Sequence, residues 1–123
     1  MTDSQVLLLD EAKEDLRDFD GATRKMLLKA IGKLRQSPDQ RGEPLGSRAN
    51  GNLTGFRKLV VGNRDYRIVY DVRDDGTVVV IWVIGRRVNS EAYALAQTRI
   101  ELYATDINKK TALLGLLERV RYP

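Results

Sequence analysis

The chain has neither histidine nor cysteine among its 123 residues. Histidine is the most frequent general base near neutral pH and the commonest metal ligand. Without it, any acid–base chemistry must use Lys, Arg, Tyr, Asp or Glu. The lack of cysteine excludes a disulfide framework, a thiolate nucleophile and a zinc site built on thiolates.

Long apolar runs are also missing. No segment approaches the roughly 18 to 20 consecutive apolar residues of a membrane span, and no basic segment precedes the first apolar run, as it would in a secretion signal. A chain of 123 residues is long enough for one domain with a hydrophobic core and too short for two. We therefore expect a single-domain cytoplasmic protein with no membrane contact.

The net charge of +4 conceals an uneven distribution. Residues 1–20 contain seven acidic and two basic residues, a net charge of −5, which leaves +9 on the remainder. A basic excess favours a polyanionic partner, because Lys and Arg neutralise phosphates and release counterions. A merely solvated basic surface explains the charge equally well.

Hydrophobic periodicity predicts the element order βααβββα followed by a tail. The predicted strands cover residues 5–9, 56–61, 64–73 and 77–84. The predicted helices cover 11–19 and 91–103, and a second helix follows the break at Asp20-Gly21 and ends near Ser37-Pro38. Asp10 is expected to cap the first helix, and Asn89 or Ser90 the third. The segment 39–55 is rich in Gly, Pro, Asn and Ser and is expected to be a loop.

The tail shows a second apolar pattern at helical spacing. Its members are Ala112, Leu113, Leu116, Leu117 and Val120. We therefore expect a domain at 1–105 and a C-terminal amphipathic extension at 106–123 that is not a separate domain. The predicted fold class is α+β, a small antiparallel-rich sheet with two N-terminal helices on one face, which would leave a concave face open.

Basic residues mark three consecutive segments that should pair as neighbouring strands. They are Lys58, Arg67, Arg86 and Arg87. Arg67 lies inside an apolar strand, where a charge needs water or a partner. It is either an anion ligand on the open face or an ordinary solvent-facing arginine. Tyr93 either stacks on an unpaired base beside these cations or belongs to the core.

Four segments between Gly55 and Tyr93 carry a family resemblance. They read "GFRKLVVG", "DYRIVYDV", "VVVIWVIGRR" and "NSEAY". In this order and spacing they resemble the RelE group of the RelE/ParE toxin superfamily of bacterial type II toxin-antitoxin systems. The resemblance implies a RelE-like fold and a ribosome-dependent endoribonuclease, an mRNA interferase that cuts the messenger in the decoding site without metal or cofactor.

The resemblance also implies roles for individual residues. Arg67 would contact and stabilise the scissile phosphate, Arg87 would stabilise charge or help to protonate the leaving oxygen, and Tyr93 would stack on or orient the cleaved nucleotide. Lys58 would activate the ribose 2′-hydroxyl or hold phosphate, whereas the family's second basic position is Val60 here. A lysine with a pKa near 10.4 needs considerable lowering to act as a base at neutral pH, so Lys58 is either the base or an electrostatic group.

Further contacts and partners follow from the same resemblance. RNA contacts are expected from Arg57, Arg64 and Arg86. A cognate antitoxin is expected to cover the basic face or displace a terminal helix, beside the ribosome and mRNA as targets. Oligomers would form only through the antitoxin or through the C-terminal extension.

Three rival functions remain open at this point. A ParE-like protein would inhibit DNA gyrase without cutting RNA, although the joint presence of Arg67, Arg87 and Tyr93 argues against it. A catalytically inactive relative would only bind nucleic acid or the antitoxin. A metal-dependent hydrolase is least expected, because the carboxylates of the hairpin look like turn and surface residues.

Overall fold

The computed structural model describes residues 3–46, 53–87 and 91–121. Its strands are β1 (Gln5–Leu8), β2 (Glu43–Gly46), β3 (Leu53–Val61), β4 (Tyr66–Arg73) and β5 (Val78–Arg86). Its α-helices are α1 (Asp10–Arg17), α2 (Gly21–Lys33), α3 (Glu91–Thr105) and α4 (Ile107–Arg121). Short 3₁₀ turns occupy Pro38–Gln40 and Asp74–Gly76.

The five strands form one sheet in the order β1-β5-β4-β3-β2. Among the strands of the described residues, only the β1–β5 pair is parallel, and the other pairs are antiparallel. The apolar strand β5 is central and nearly fully buried, as its unbroken hydrophobic run predicts. Trp82 is the extra residue of a β-bulge, because Val69 pairs with Val83 and Tyr70 pairs with Ile81.

One face of the sheet is covered by α1 and α2, which confirms the predicted α+β fold with two N-terminal helices on one side. Alternating residues of β4 and β5 meet Leu27, Leu34 and Phe19 there. Asp20 starts α2 by accepting a hydrogen bond from the Thr23 backbone N–H at 2.8 Å.

The other face is not open, and that expectation was wrong. Helix α3 packs against β5 and β4, and Ala92 and Ala96 share a core cluster with Val80 and Trp82. Helix α4 confirms the predicted C-terminal helix, and it places Leu113 and Leu117 in the same cluster. Small alanines on α3 let the helix approach the sheet closely. Because α3 and α4 cover this face and Arg67 pairs with Gly85 near the end of β5, Arg67 lies at the end of a covered face.

Two local predictions also need correction. The segment 39–55 is not one loop, since β2 pairs with β3 and β3 already begins at Leu53. Leu9, not Asp10, occupies the N-cap position of α1, and it makes no side-chain cap bond. Asp10 is instead the first helical residue, where its charge favours the helix N-terminus. The proposed caps Asn89 and Ser90 lie outside the described residues.

No helix in the described ranges is long and apolar enough to cross a membrane.

Candidate functional site

The register of the β3–β4 hairpin brings Lys58 and Arg67 to one face of the sheet. Lys58 pairs with Val69, and Val60 pairs with Arg67. Because side chains alternate along a strand and paired residues share a face, Lys58 and Arg67 are diagonal neighbours. Val60, at the usually basic position of the resembling family, lies directly opposite Arg67 and contributes no charge.

Tyr93, in the first turn of α3, completes a compact group that we call the Lys58–Arg67–Tyr93 cluster. Nη1 of Arg67 donates a hydrogen bond of 2.8 Å to the Tyr93 hydroxyl. The Arg67 guanidinium carbon lies 5.7 Å from the ring centroid, and Lys58 Nζ lies 5.9 Å from it. Two cations thus contact one aromatic ring, and each lies within the distance from the ring centroid that is typical of a cation–π interaction.

The cluster is largely withdrawn from water. Tyr93 is 7% exposed and Lys58 is 9% exposed, whereas Arg67 is half-buried. Cations in a partly dehydrated site interact more strongly with an anion than they would in bulk water. The arrangement therefore suits one phosphate group at the end of the sheet, with the planar guanidinium facing it.

Glu43 is a neighbour of the cluster that the sequence reasoning missed. It pairs with Lys58 in the β2–β3 register, and its Oε2 lies 3.5 Å from Lys58 Nζ. Its side chain is 63% exposed, against 11% for Lys58, so the carboxylate can move toward a bound ligand. Two features of the sequence indicate the hairpin that carries Glu43. They are the apolar Leu45 and the Gly- and Asn-rich connection to the next strand.

Gly42 explains why β2 approaches β3 so closely at Lys58. Its φ is +64°, a conformation that glycine adopts without strain, and an added Cβ would lie 2.1 Å from the Lys58 carbonyl oxygen. On the opposite face, Arg57 Nε donates to the Arg41 carbonyl at 2.8 Å. The Tyr70 hydroxyl lies 2.7 Å from the same carbonyl oxygen. These contacts fix the segment that delivers Glu43.

Several other predicted RNA contacts lie away from the cluster. Arg57 pairs with Tyr70, so its side chain lies on the face covered by α2 and supports the β2 segment. Arg86 stacks near the rings of Phe19 and Tyr66, at 5.3 and 5.6 Å from their centroids, also on that face. Arg64 is exposed in the β3–β4 turn.

Arg87 lies at the same end of the sheet as the cluster. Gly85 pairs with Arg67, and Arg87 follows two residues later, so alternation directs it toward the Arg67 face. Its backbone N–H donates to the Asp65 carbonyl at 2.9 Å, and the residue is exposed. Arg87 thus flanks the cluster at the rim.

The described part of the chain contains no group of three or more His, Cys, Asp or Glu residues able to hold a metal ion. The site supplies two cations from Lys58 and Arg67, the Tyr93 phenol and the Glu43 carboxylate. These groups can bind an anion, stabilise developing negative charge and accept a proton.

Comparison with known proteins identifies the family of the chain. The family model for the ParE toxin of the type II toxin-antitoxin system parDE matches residues 6–90. A chain of the toxin-antitoxin complex RelBE2 from Mycobacterium tuberculosis is 27% identical, with a TM-score of 0.57, covering 71% of this chain and 100% of its own. No curated protein sequence matches this chain.

Two further solved structures are similar. A double arginine-to-alanine mutant of the Escherichia coli toxin RelE in the free state is 26% identical, with a TM-score of 0.63, covering 81% of this chain and 99% of its own. The chromosomal ParDE system of Pseudomonas aeruginosa matches at 15% identity, a TM-score of 0.53, and coverage of 68% and 95%, which shows a common fold alone. Because the family model spans more than half of the chain, this protein belongs to the RelE/ParE superfamily of type II toxin-antitoxin toxins.

Proposed function

We propose that this toxin is a ribosome-dependent endoribonuclease that cuts mRNA in the decoding site and so inhibits translation. The observation that carries the proposal is the Lys58–Arg67–Tyr93 cluster, in which two cations contact one buried ring. Cleavage by attack of a ribose 2′-hydroxyl builds negative charge on the phosphate oxygens. Preorganised cations stabilise that charge in the transition state without a metal.

Arg67 is the phosphate ligand in this mechanism. Its guanidinium donates through Nη1 to Tyr93, which fixes the plane of the group while other N–H donors face the phosphate. Tyr93 is 7% exposed, so in the free protein it orients Arg67 and does not present its ring to a base. Stacking on the cleaved nucleotide requires the ring to become exposed on the ribosome.

Glu43 is the general base that best fits the geometry. A carboxylate accepts hydrogen bonds whereas a lysine ammonium only donates them, so in the pair of Glu43 and Lys58 the carboxylate accepts the 2′-hydroxyl proton. Lys58 then serves as the second cation at the phosphate. Glu43 is exposed and 3.5 Å from Lys58, which allows it to reach a ribose held beside the cluster.

In the proposed step, the ribose 2′-oxygen displaces the 5′-oxygen from phosphorus. The 2′-hydroxyl proton passes to the Glu43 carboxylate, the 2′-oxygen bonds to phosphorus, and the bond from phosphorus to the 5′-oxygen breaks. Arginine does not release its proton in proteins, so Arg87 stabilises charge on the leaving oxygen, whose proton comes from water. The ribosome supplies the in-line alignment of attacking and leaving oxygens that so small a site does not impose by itself.

Partners and location follow from this activity. The similar structures from M. tuberculosis and E. coli include toxin-antitoxin complexes, and we propose that a cognate antitoxin binds this chain as well. The ribosome and mRNA are its targets, which implies action in the cytoplasm. Residues 1–105 then form the toxin domain, and 106–123 form an extension whose Leu113 and Leu117 join the same core cluster.

The decisive experiment is cleavage of a defined mRNA on purified, programmed ribosomes, with mapping of the new 5′ ends. Arg67→Ala and Glu43→Gln should each lower the cleavage rate by about 100-fold or more, as expected for loss of a charge stabiliser or a general base. Arg119→Ala and Glu118→Gln are matched controls, because both residues are exposed on α4. Free mRNA without ribosomes should not be cut.

A second candidate, inhibition of DNA gyrase, is favoured by the match to the ParE toxin model. It predicts growth arrest with stabilised gyrase–DNA breaks and no ribosome-dependent cleavage. That result would remove the catalytic roles from Arg67, Glu43 and Arg87. A catalytically inactive binding protein would produce neither the mRNA cuts nor the gyrase–DNA breaks.

A further inference from the structure

The outer edge of β5 loses its strand neighbour halfway along. Strand β1 ends at Leu8, which pairs with Ile81, while β5 continues to Arg86. Backbone groups beyond Ile81 therefore need other hydrogen-bond partners, because a buried backbone group without one is unfavourable. These partners are side chains from two different helices.

Asp15 of α1 and Arg99 of α3 take the place of the missing strand. Asp15 Oδ2 accepts a hydrogen bond from the Ile84 backbone N–H at 3.0 Å. Arg99 Nη1 donates to the Trp82 carbonyl oxygen at 2.9 Å. The two side chains thus bind consecutive backbone groups on the free edge of β5, next to the bulge at Trp82.

The same two side chains bind each other through two parallel hydrogen bonds. Arg99 Nη1 lies 2.7 Å from Asp15 Oδ2, and Nη2 lies 2.9 Å from Oδ1. The side chains are only 13% and 16% exposed. The hydrogen bonding that Arg99 donates to the Asp15 carboxylate raises the pKa of Arg99. A bidentate pair of this kind fixes orientation as well as distance, so it ties α1, β5 and α3 together at one point.

We propose that Asp15 and Arg99 are positioning residues that set the place of α3 on β5 and thereby hold Tyr93 against Arg67. Tyr93 precedes Arg99 by six residues on α3, about 9 Å along the helix axis. A small rotation or shift of α3 would therefore displace the Tyr93 hydroxyl from Nη1 of Arg67, 2.8 Å away. The effect on catalysis rests on the proposed function, whereas the effect on Tyr93 does not.

The chain offers a matched control for this role. Lys109 Nζ forms an equally short contact, 2.7 Å, with Oε2 of Glu11 on α1. That pair joins α1 to α4, and Glu11 also accepts a hydrogen bond from Tyr103 of α3; within the described residues neither Glu11 nor Lys109 is hydrogen-bonded to β5. Lys109→Gln therefore removes an ion pair from α1 without releasing the Arg99 contacts on α3.

The experiment places 3-fluorotyrosine at position 93 of the full-length chain and records its ¹⁹F resonance. Asp15→Asn and Arg99→Lys keep polar side chains but lose the bidentate geometry, and Asp15→Glu keeps the charge and changes only its reach. We expect each to shift or broaden the resonance in protein that still unfolds cooperatively. Lys109→Gln should leave the resonance unchanged. In ribosome-dependent cleavage, the Asp15 and Arg99 variants should lower kcat about 10-fold and change KM less than about threefold.

The outcomes separate the two proposals. An unchanged ¹⁹F resonance in folded Asp15→Glu or Arg99→Lys protein would overturn the positioning role, whatever the cleavage rate. A shifted resonance with wild-type protein that cuts no mRNA would support positioning and refute the ribonuclease. A KM increase without loss of kcat would also overturn the role, because displacement of Tyr93 should act on the chemical step.

Discussion

Arg67 and Tyr93 are joined by a 2.8 Å hydrogen bond although one lies on a central strand and the other on a helix 26 residues further along the chain. The bond couples the β4 arginine of the Lys58–Arg67–Tyr93 cluster to the packing of α3. Orientation of the guanidinium is therefore a tertiary property. It depends on where α3 lies, as well as on the strand that carries Arg67.

Tyr93→Phe tests this coupling directly. The variant keeps the ring beside Lys58 and Arg67 but removes the oxygen that accepts the hydrogen bond. We expect ribosome-dependent cleavage to fall about 10-fold, with a loss of roughly 0.5 to 1.5 kcal/mol in the free energy of unfolding. Single-turnover cleavage and chemical denaturation measure the two effects.

Tyr103→Phe is the control for Tyr93→Phe. The Tyr103 hydroxyl donates to Glu11 Oε1 at 2.6 Å, away from the Lys58–Arg67–Tyr93 cluster. Its loss should lower stability by a similar amount and leave the cleavage rate unchanged. Equal cleavage by Tyr93→Phe and wild-type protein would show that the phenol oxygen has no role in orienting Arg67.

Gly42→Ala should displace Glu43 from Lys58. The new methyl group would lie 2.1 Å from the Lys58 carbonyl oxygen, and the backbone φ of +64° is unfavourable for alanine. We expect lower stability and a loss of cleavage comparable to that of Glu43→Gln. Gly32→Ala is the control: a Cβ there meets nothing within 4 Å, and on α2 it should stabilise the protein by about 0.5 to 1 kcal/mol.

The sequence predicted the features that depend on local periodicity. Alternation along β4 correctly predicted that Tyr66 and Ile68 lie on one face of the sheet and Arg67 on the other. The apolar run of β5 correctly predicted a strand covered on both faces. The sequence pattern groups Arg86 with Arg67 and Arg87 on neighbouring strands, whereas Arg86 lies with Phe19 and Tyr66 on the opposite face of the sheet.

Features that depend on tertiary register were not predictable. Strand β2 has four residues and contains Pro44, which is tolerated because β2 is an edge strand. No local pattern specifies that Glu43 lies opposite Lys58, because pairing is set by the close approach at Gly42. Likewise, periodicity gives α3 and α4 an apolar side but does not say which face of the sheet they cover.

Stability and toxicity should separate in a pair of variants on adjacent strands. Ile81 is fully buried, so Ile81→Ala should cost about 2 to 5 kcal/mol of unfolding free energy. Arg67→Ala removes a half-buried charge and should keep a cooperative unfolding transition while abolishing growth inhibition. Thermal denaturation and induction in bacteria measure the two effects. A folded Arg67→Ala protein that still arrests growth fully would contradict the site, and Arg87→Ala is expected to behave in the same way.

Asp71 is a carboxylate on the same face of β4 as Arg67. Burial raises its pKa above the usual 3.8, although Arg73 and a hydrogen bond from Trp82 oppose the shift. The folded state therefore binds this proton more tightly than the unfolded state does. Its contribution to stability is greatest below pH 3.8 and declines as the pH rises through the folded pKa.

Asp71→Asn should remove that decline. Asparagine still offers an oxygen to Trp82 Nε1, which lies 3.3 Å from Asp71 Oδ1, and it carries no charge to bury. The variant should therefore gain stability relative to wild type as the pH rises from about 4, with a plateau above the folded pKa. Glu11→Gln should show the opposite trend, because hydrogen bonds from Lys109 and Tyr103 outweigh burial and lower the pKa of Glu11. Urea titrations at a series of pH values measure both differences, and a difference between Asp71→Asn and wild type that does not vary with pH would contradict the raised pKa.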